Sequence, residues 1–269
     1  MILTKKGLLK ILLMALLCLV VGGGCIAAGF VLMGMSIAPT PLFVLGGTAL
    51  FIGVLGTLSG IYAEGKGILI NLSLTLVRKE LKPAEFIKEY ERLTSSDELV
   101  INKPGVEVLN HLAVAYHAVG DTASCLTTTD KMISVASEKE RGFAMLVKSS
   151  FLFSLGERDE AEELFQKAQI AGLNFLGKFL ADEILKSDRA IAMGDYRLVE
   201  AHYLKKLNES TPALDNLGKL IVHHALGEIY DKTGEHGKAL VHYGYCAKGG
   251  GETVFKRTAS EAMERLQKD

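Results

Sequence analysis

The feature that most constrains this chain is an almost uncharged stretch near its N-terminus. From Gly7 to Ala63 the only charged side chain is that of Lys10. The stretch contains two apolar runs, about residues 8–35 and 42–62, and each has the roughly 20 residues that a helix needs to cross a bilayer. Because lipid offers the backbone no other hydrogen-bond partner, both runs are predicted to be transmembrane helices.

The segment between the two runs predicts a tight turn. Pro39 and Pro41 lie within residues 36–41, and proline ends a helix because it lacks an N–H group and restricts the residue before it. Lysines flank the hairpin at its outer ends, at Lys10 and Lys66 among others, whereas the turn has none. The positive-inside rule therefore predicts a two-span membrane protein with both termini in the cytoplasm.

Two other interpretations of the N-terminus remain open. A cleaved signal peptide would also begin with lysines and an apolar run, although its apolar core is usually only about 7–15 residues long. A lipoprotein anchor would use Cys25, but Gly22 stands where such a signal has leucine. The hairpin of two spans is the main prediction.

Glycine is frequent in both predicted spans. Gly24 and Ala28 in the first span, and Gly56 and Gly60 in the second, form pairs of small residues about one helical turn apart. Small residues let helix backbones approach closely in lipid. We expect these pairs to pack the two spans against each other, and the alternative is a homodimer through Gly56 and Gly60.

Charge and cysteine content argue against several classes of protein. The chain has a formal net charge of −1, which divides into +3 for residues 1–66 and −4 for the remainder. A nucleic-acid-binding domain would need a concentrated positive surface. The four cysteines include no Cys-x-x-Cys pair, so neither a zinc site nor a disulfide scaffold is expected. Reduced thiols fit a cytoplasmic location.

Residues 67–104 are predicted to connect the hairpin, residues 1–66, to the rest of the chain. The apolar run 68–77 is too short to cross a bilayer and is predicted to continue as a helix at the lipid surface, near Arg78. Pro83 suits the first turn of a further helix that extends to about residue 93. Both helices could also belong to the soluble core.

A repeated glycine–acid dipeptide organises the remaining residues. Four copies, Gly120-Asp121, Gly156-Glu157, Gly194-Asp195 and Gly234-Glu235, follow one another at spacings of 36, 38 and 40 residues. Apolar residues recur with a helical period on both sides of each dipeptide. Glycine can end a helix in the left-handed conformation, and an acid favours the start of the next helix. The pattern predicts an all-α domain of helix pairs without β-strands.

These repeats resemble the tetratricopeptide repeat (TPR). The last copy carries the large, small and aromatic residues of that family at the expected spacings, namely His223, Leu226, Gly227 and Tyr230 before the turn and Ala239, Tyr243 and Cys246 after it. The middle copies depart from the pattern at Lys148 and Lys186, where the family has leucine. The resemblance covers about residues 105–248. It implies a cytoplasmic α-solenoid of about four helix pairs, residues 105–269, with a C-terminal capping helix.

The resemblance also implies a concave groove lined by the first helix of each pair. The residues that it places there are Glu107, Asn110, Val114, His117, Phe143, Leu146, Ser150, Phe153, Asp188, His224, Glu228 and Asp231. Such a groove would be apolar in its middle and acidic towards its C-terminal end, which favours an amphipathic helix or an apolar, basic peptide as its ligand. The alternative is that the chain's own helix 83–93 fills the groove.

Catalytic motifs are missing from the sequence. The histidines lack the His-Glu-x-x-His spacing of zinc proteases, and neither a phosphate-binding glycine loop nor a nucleophile elbow is found. We therefore expect no metal, no cofactor and no enzymatic activity. The predicted function is a membrane-anchored scaffold that recruits a protein partner at the cytoplasmic face. The alternative is an accessory or assembly subunit of a larger membrane complex, held through its spans.

Overall fold

A computed structural model describes residues 5–34, 40–95, 104–209 and 214–268. Every regular element in these residues is helical, which confirms the predicted all-α class. Residues 5–95 contain α1 (Lys5–Gly34), α2 (Thr40–Ser73), a π-helical segment (Leu74–Lys79) and α3 (Pro83–Ser95). Residues 104–268 contain α4 (Val106–Val119), α5 (Thr122–Val135), α6 (Glu138–Leu155), α7 (Arg158–Ala171), α8 (Phe175–Lys186), α9 (Asp188–Met193), α10 (Tyr196–Asn208), α11 (Asn216–Lys232), α12 (His236–Gly249) and α13 (Val254–Leu266).

The chain falls into two compact units. The first comprises residues 1–69 and 92–103, and the second comprises residues 70–91 and 104–269. The first unit contains α1 and most of α2, whereas the second contains the ten helices from α4 to α13 that the structure describes. Each unit has its own packing, and the candidate sites described below lie in the second.

Among the described residues, one helix is long and apolar enough to cross a membrane, from Leu13 to Met33. The corresponding described part of α2, Val44–Gly56, is shorter. Side chains 57–64, which include Gly60, and residues 36–39 of the predicted turn 36–41 lie outside the described residues. Pro41 belongs to the first turn of α2, where its missing N–H group leaves no helix bond unmade.

Helices α1 and α2 approach each other at glycines other than the first predicted pair. A methyl group added at Gly22 would lie 2.7 Å from the Leu50 side chain, and one at Gly46 would lie 2.8 Å from the Gly22 carbonyl oxygen. A methyl group at Gly24 would meet nothing within 4 Å, and Ala28 is exposed. The predicted packing at Gly24 and Ala28 is therefore wrong for this hairpin, because two residues along a helix rotate the side chain by about 200°.

The glycine–acid turns of the second unit form as predicted. Gly120, Gly156, Gly194 and Gly234 have φ angles of 84°, 84°, 78° and 77°, in the left-handed region that favours glycine. Each follows the last turn of one helix and precedes the next, so that α4 packs on α5, α6 on α7, and α11 on α12. The carboxylate of Asp121 also accepts a hydrogen bond from the Ser124 N–H group, which caps α5.

The third pair departs from this regularity. The helix before Gly194 is divided at Ser187, whose backbone angles of −120° and −88° are not helical. The longer part, α8, packs against α6, and the six-residue α9 leads into the turn. Helix α8 thus lies beside α6.

The two ends of the second unit meet. The Arg78 guanidinium lies 2.8 Å from the Asp215 carboxylate, and the Asn216 amide donates a hydrogen bond of 2.7 Å to the Lys79 carbonyl oxygen. At the other end, the Leu81 carbonyl oxygen accepts a hydrogen bond of 2.9 Å from the Glu252 N–H group. An ion pair and two hydrogen bonds thus connect residues 74–82 to the segments that begin α11 and precede α13.

Helix α13 has the polarity predicted for a capping helix. Phe255 and Ala259 are buried, whereas Lys256, Arg257 and Glu261 are exposed. The helix packs against α12, α11 and α4, so it contacts both the last and the first helix pair of the unit.

Candidate functional site

An open cavity of about 650 Å³ lies among α4, α6 and α8, and we call it the apolar groove. Its lining is mostly aliphatic and aromatic, with a few polar and charged side chains at the rim. The lining residues are Leu74, Arg78, Val106, Glu107, Asn110, His111, Val114, Glu140, Phe143, Val147, Ser150, Phe151, Asn174, Leu176, Phe179, Leu180 and Asp215. A groove of this size and composition is typical of a ligand or peptide site.

Five of the predicted groove residues line this cavity. Glu107, Asn110 and Val114 share one face of α4, and Phe143 and Ser150 share one face of α6. Their spacings of three, four and seven residues place side chains above one another along a helix. On each of these two helices the structure thus brings predicted residues together on one face.

Two predicted residues of α6 lie instead in the hydrophobic core, and their prediction as groove residues is wrong. Leu146 is fully buried and Phe153 is 7% exposed, and both pack in a cluster with Phe165 and Ile184. The face of α6 that lines the groove continues from Phe143 to Val147, four residues further along the helix. It does not include Leu146, which is three residues after Phe143. Because α7, α8 and α9 all pack against α6, Leu146 is enclosed.

The rim of the apolar groove carries more negative than positive charge. Three carboxylates, those of Glu107, Glu140 and Asp215, face one guanidinium, that of Arg78. Asp215 already pairs with Arg78 and also caps α11 by accepting a bond from the Gly218 N–H group. Arg78 and Asp215 therefore compensate each other's charge at the rim.

His111 adds no positive charge to this rim at neutral pH. Its Nδ1 atom lies 3.0 Å from the hydroxyl oxygen of buried Ser73. Burial, and then the nearby Arg78 guanidinium, lower the pKa of His111, although Glu107 acts in the opposite direction. The imidazole therefore contributes a neutral, partly apolar surface to the groove.

A polar network lies behind Ser150. The Ser150 hydroxyl donates a bond of 2.5 Å to the Asp188 carboxylate, and the Ser187 hydroxyl donates one of 3.3 Å. Burial raises the pKa of Asp188 to about 6, against the opposing effect of these two donors. Asp188, predicted to face the concave surface, instead supports Ser150 from behind and lines neither groove.

The three predicted residues of the last repeat line a different cavity, the C-terminal groove, of about 490 Å³. Its other lining residues include Tyr243 and three residues of α13, namely Thr258, Ala262 and Arg265. The chain itself supplies partners here. His224 Nε2 lies 2.7 Å from the Thr258 hydroxyl oxygen, and Asp231 forms an ion pair with Arg265.

The remaining predicted residue, His117, packs against α13. Its ring centre lies 5.1 Å from that of Phe151 and 5.8 Å from that of Phe255. Phe255 also lies 5.4 Å from His224, so one aromatic side chain fills the space between the first and last repeats. Burial lowers the pKa of His117 to about 4, and this imidazole is neutral at physiological pH.

Several residues that line the apolar groove were not predicted from the sequence, and some of them come from elements far apart in the chain. Val147 and Phe151 could have been found from the helical period of α6. Arg78 and Asp215 are 137 residues apart and meet through tertiary packing. Leu176 and Phe179 belong to α8, which reaches the groove because the third helix pair is broken at Ser187.

The described residues offer little reactive chemistry. No group of three or more His, Cys, Asp or Glu side chains within them could hold a metal ion. Burial raises the pKa of Cys125 and of Cys246 to about 12, so both thiols stay protonated at neutral pH. His223 and His242 approach each other at 2.9 Å, but only as a pair. The arrangement at the apolar groove is suited to binding.

Comparison with known proteins adds no relative. No family model, curated protein or solved structure matches this chain.

Proposed function

We propose that this protein is a membrane-anchored, TPR-like adaptor that holds a protein partner at the cytoplasmic membrane face. The N-terminal hairpin anchors the chain through two spans and leaves both termini in the cytoplasm. The helical second unit then presents its apolar groove to a segment of the partner. The adaptor itself performs no chemistry.

Three features of the chain support the anchor. An N-terminal helix is apolar enough to cross a membrane, and α2 follows it in a packed pair. Lysines lie at the outer ends of the hairpin, as the positive-inside rule requires for cytoplasmic termini. A separate feature, the four glycine–acid turns at nearly regular spacing, supports the TPR-like organisation of the second unit.

The observation that carries the adaptor function is the apolar groove itself. Leu176 and Phe179 on one wall are 61% and 62% exposed, and Leu74 on the opposite rim is 44% exposed. Large apolar side chains at the mouth of a concave surface are typical of a protein-interaction site. A bound helix would cover them.

A photo-crosslinking experiment tests this function. A photoreactive phenylalanine analogue is placed at Asn110, inside the groove, or at Lys131, exposed on α5 outside it. In intact membranes we expect a discrete protein adduct from position 110 only, and we expect Phe143→Asp to abolish it. Equal adducts at both positions, or none at position 110, would reject the adaptor function.

A second candidate function is an integral subunit of a larger membrane complex. It is favoured by the face of α1 that carries Gly24 and Ala28, which is small and open rather than packed against α2. Replacing residues 1–66 with an unrelated two-span hairpin separates the two functions. An adaptor would keep its adduct at position 110, whereas a subunit held through its spans would lose its place in the complex.

A further inference from the structure

Two histidines of the last helix pair meet although they are 19 residues apart in the chain. The Nδ1 atom of His223 on α11 lies 2.9 Å from the Nδ1 atom of His242 on α12. We propose that this pair binds a divalent transition-metal ion that accepts ligands at right angles, such as Ni²⁺ or Cu²⁺, and thereby links the two helices. Neither histidine lines the apolar groove, so the site does not depend on the adaptor function.

The distance between the two nitrogens suits a pair of adjacent metal ligands. Imidazole nitrogens bind such ions at about 2.0–2.1 Å, and two of them at right angles are then about 2.9 Å apart. The tetrahedral arrangement of zinc would separate them by about 3.3 Å. The distance of 2.9 Å between His223 and His242 therefore favours the square-planar or octahedral ions over zinc.

A metal ion can replace the hydrogen bond that now joins the two rings. A neutral imidazole carries its proton on one nitrogen only, so one Nδ1 atom donates to the other. When that proton moves to Nε2 of the same ring, both Nδ1 lone pairs become free, and the protein gains or loses no proton. Among the described residues neither ring has another hydrogen bond that metal binding would break.

Two tyrosines hold the imidazoles in place. The Tyr245 ring stacks on that of His223, with centres 3.9 Å apart and planes 15° apart. The Tyr230 ring centre lies 5.5 Å from that of His242, and its hydroxyl donates a bond of 2.6 Å to Glu200. Groups that fix the orientation of a ligand reduce the side-chain entropy lost when the metal binds.

The pair is accessible from solvent. Both histidines are partly buried, and Val241 and Tyr245 beside them on α12 are 70% and 41% exposed. Within the described part of the chain no third His, Cys, Asp or Glu side chain joins the pair in a metal-binding group. The ion would therefore have two protein ligands, and water or a ligand from a partner would complete its coordination.

The packing of α11 on α12 creates this pair, which explains why no sequence motif predicts it. A methyl group added at Gly227 would lie 2.7 Å from the ring of Tyr243, so the glycine allows the two helices to approach closely. His223 lies one helical turn before Gly227, and His242 directly precedes Tyr243. The close approach thus brings the two imidazoles together. The expectation of a chain without a metal considered only ligands at fixed spacings within one segment.

Titration calorimetry of the full-length protein, without an affinity tag and in detergent micelles, tests the proposal with nickel chloride. We expect one Ni²⁺ ion to bind per chain, and Zn²⁺ to bind more weakly. His223→Gln and His242→Gln should each weaken Ni²⁺ binding by at least about tenfold, because even changes to groups that orient a metal ligand have effects of this size. His236→Gln removes an exposed histidine of the same helix outside the pair and should leave the affinity unchanged.

Thermal unfolding followed by circular dichroism gives a second measurement. An ion that links two helices binds the folded chain more tightly than the unfolded one, so saturating Ni²⁺ should raise the unfolding temperature of the wild type. The rise should be absent in His223→Gln and in His242→Gln and present in His236→Gln. Because the two histidines of the pair are only partly buried, both variants should unfold close to the wild-type temperature without metal.

Three results would overturn the proposal. The first is the absence of Ni²⁺ binding by the wild type, and the second is wild-type affinity in either variant of the pair. The third is an equal loss of affinity in His236→Gln, which would show that exposed histidines bind the ion without the pair. None of these outcomes changes the adduct expected at position 110, so the adaptor function is tested separately.

Discussion

The apolar groove and the C-terminal groove contain residues predicted by one and the same spacing argument, yet they differ in whether the last helix of the chain supplies partners to those residues. In the C-terminal groove, α13 forms a wall and supplies partners to His224 and Asp231. In the apolar groove, large side chains such as Phe179 remain exposed at the mouth. A repeat pattern can place residues on a concave face, but it does not show which of those residues are contacted by other helices of the same chain.

The largest expected difference between the two grooves is in stability. Phe255→Ala would remove a buried ring that contacts His117 and His224, and should lower the free energy of unfolding by about 3 kcal/mol. Phe179→Ala changes an exposed ring and should cost no more than about 0.5 kcal/mol. Urea unfolding followed by circular dichroism measures both. Similar losses for the two variants would show that the packing of α13 on α4 and α11 stabilises the fold no more than an exposed groove side chain does.

A smaller difference is expected in the response to acid. His117 is neutral when folded because burial lowers its pKa from 6.5 to about 4, so the unfolded chain takes up a proton that the folded chain refuses. Its contribution to stability is complete above pH 6.5 and is lost as the pH falls towards 4. Between pH 7 and pH 5 the wild type should lose about 2 kcal/mol more than His117→Phe, a variant that keeps the ring contacts.

The acid experiment compares the urea midpoints of the two proteins at both pH values. A parallel decline in wild type and His117→Phe would show that the interface between α4 and α13 does not bury this imidazole. Such a result would also weaken the view that α13 covers the first repeat.

A third comparison extends the contrast of packed and open faces to the hairpin. Gly22→Leu would force a side chain against Leu50 and should lower stability by about 1 to 3 kcal/mol. Gly24→Leu meets open space and should shift the unfolding temperature in detergent by less than about 2 °C. If Gly24→Leu leaves stability unchanged but dissociates a complex in membranes, the subunit function would gain support over the adaptor.

Local structure could be predicted because neighbours in sequence determine it. The left-handed glycines at 120, 156, 194 and 234, and the start of α3 at Pro83, follow from backbone sterics within a few residues. The face shared by Glu107, Asn110 and Val114 follows from helical period alone. The TPR-like family and the second span stay predictions.

Errors in the predicted sites arose where a distant element decides burial. Leu146 and Phe153 lie on the correct helix, but α8 and α9 enclose them. Gly24 is one of several glycines in α1, and the orientation of α1 about its axis places Gly22, and not Gly24, against α2. No local pattern encodes these choices, since each depends on which surface a second helix meets.

The sequence by itself determined that this chain is helical, where its helix pairs turn, and that its first helix is apolar enough for a membrane, because these properties depend on residues close together in the chain. Only the tertiary structure decided that the two ends of the second unit meet, with Arg78 against Asp215 and α13 against α4. The physical reason is that burial is a property of pairs of surfaces. A side chain becomes core, partner or open groove according to what packs over it, and that contact comes from residues far away in sequence.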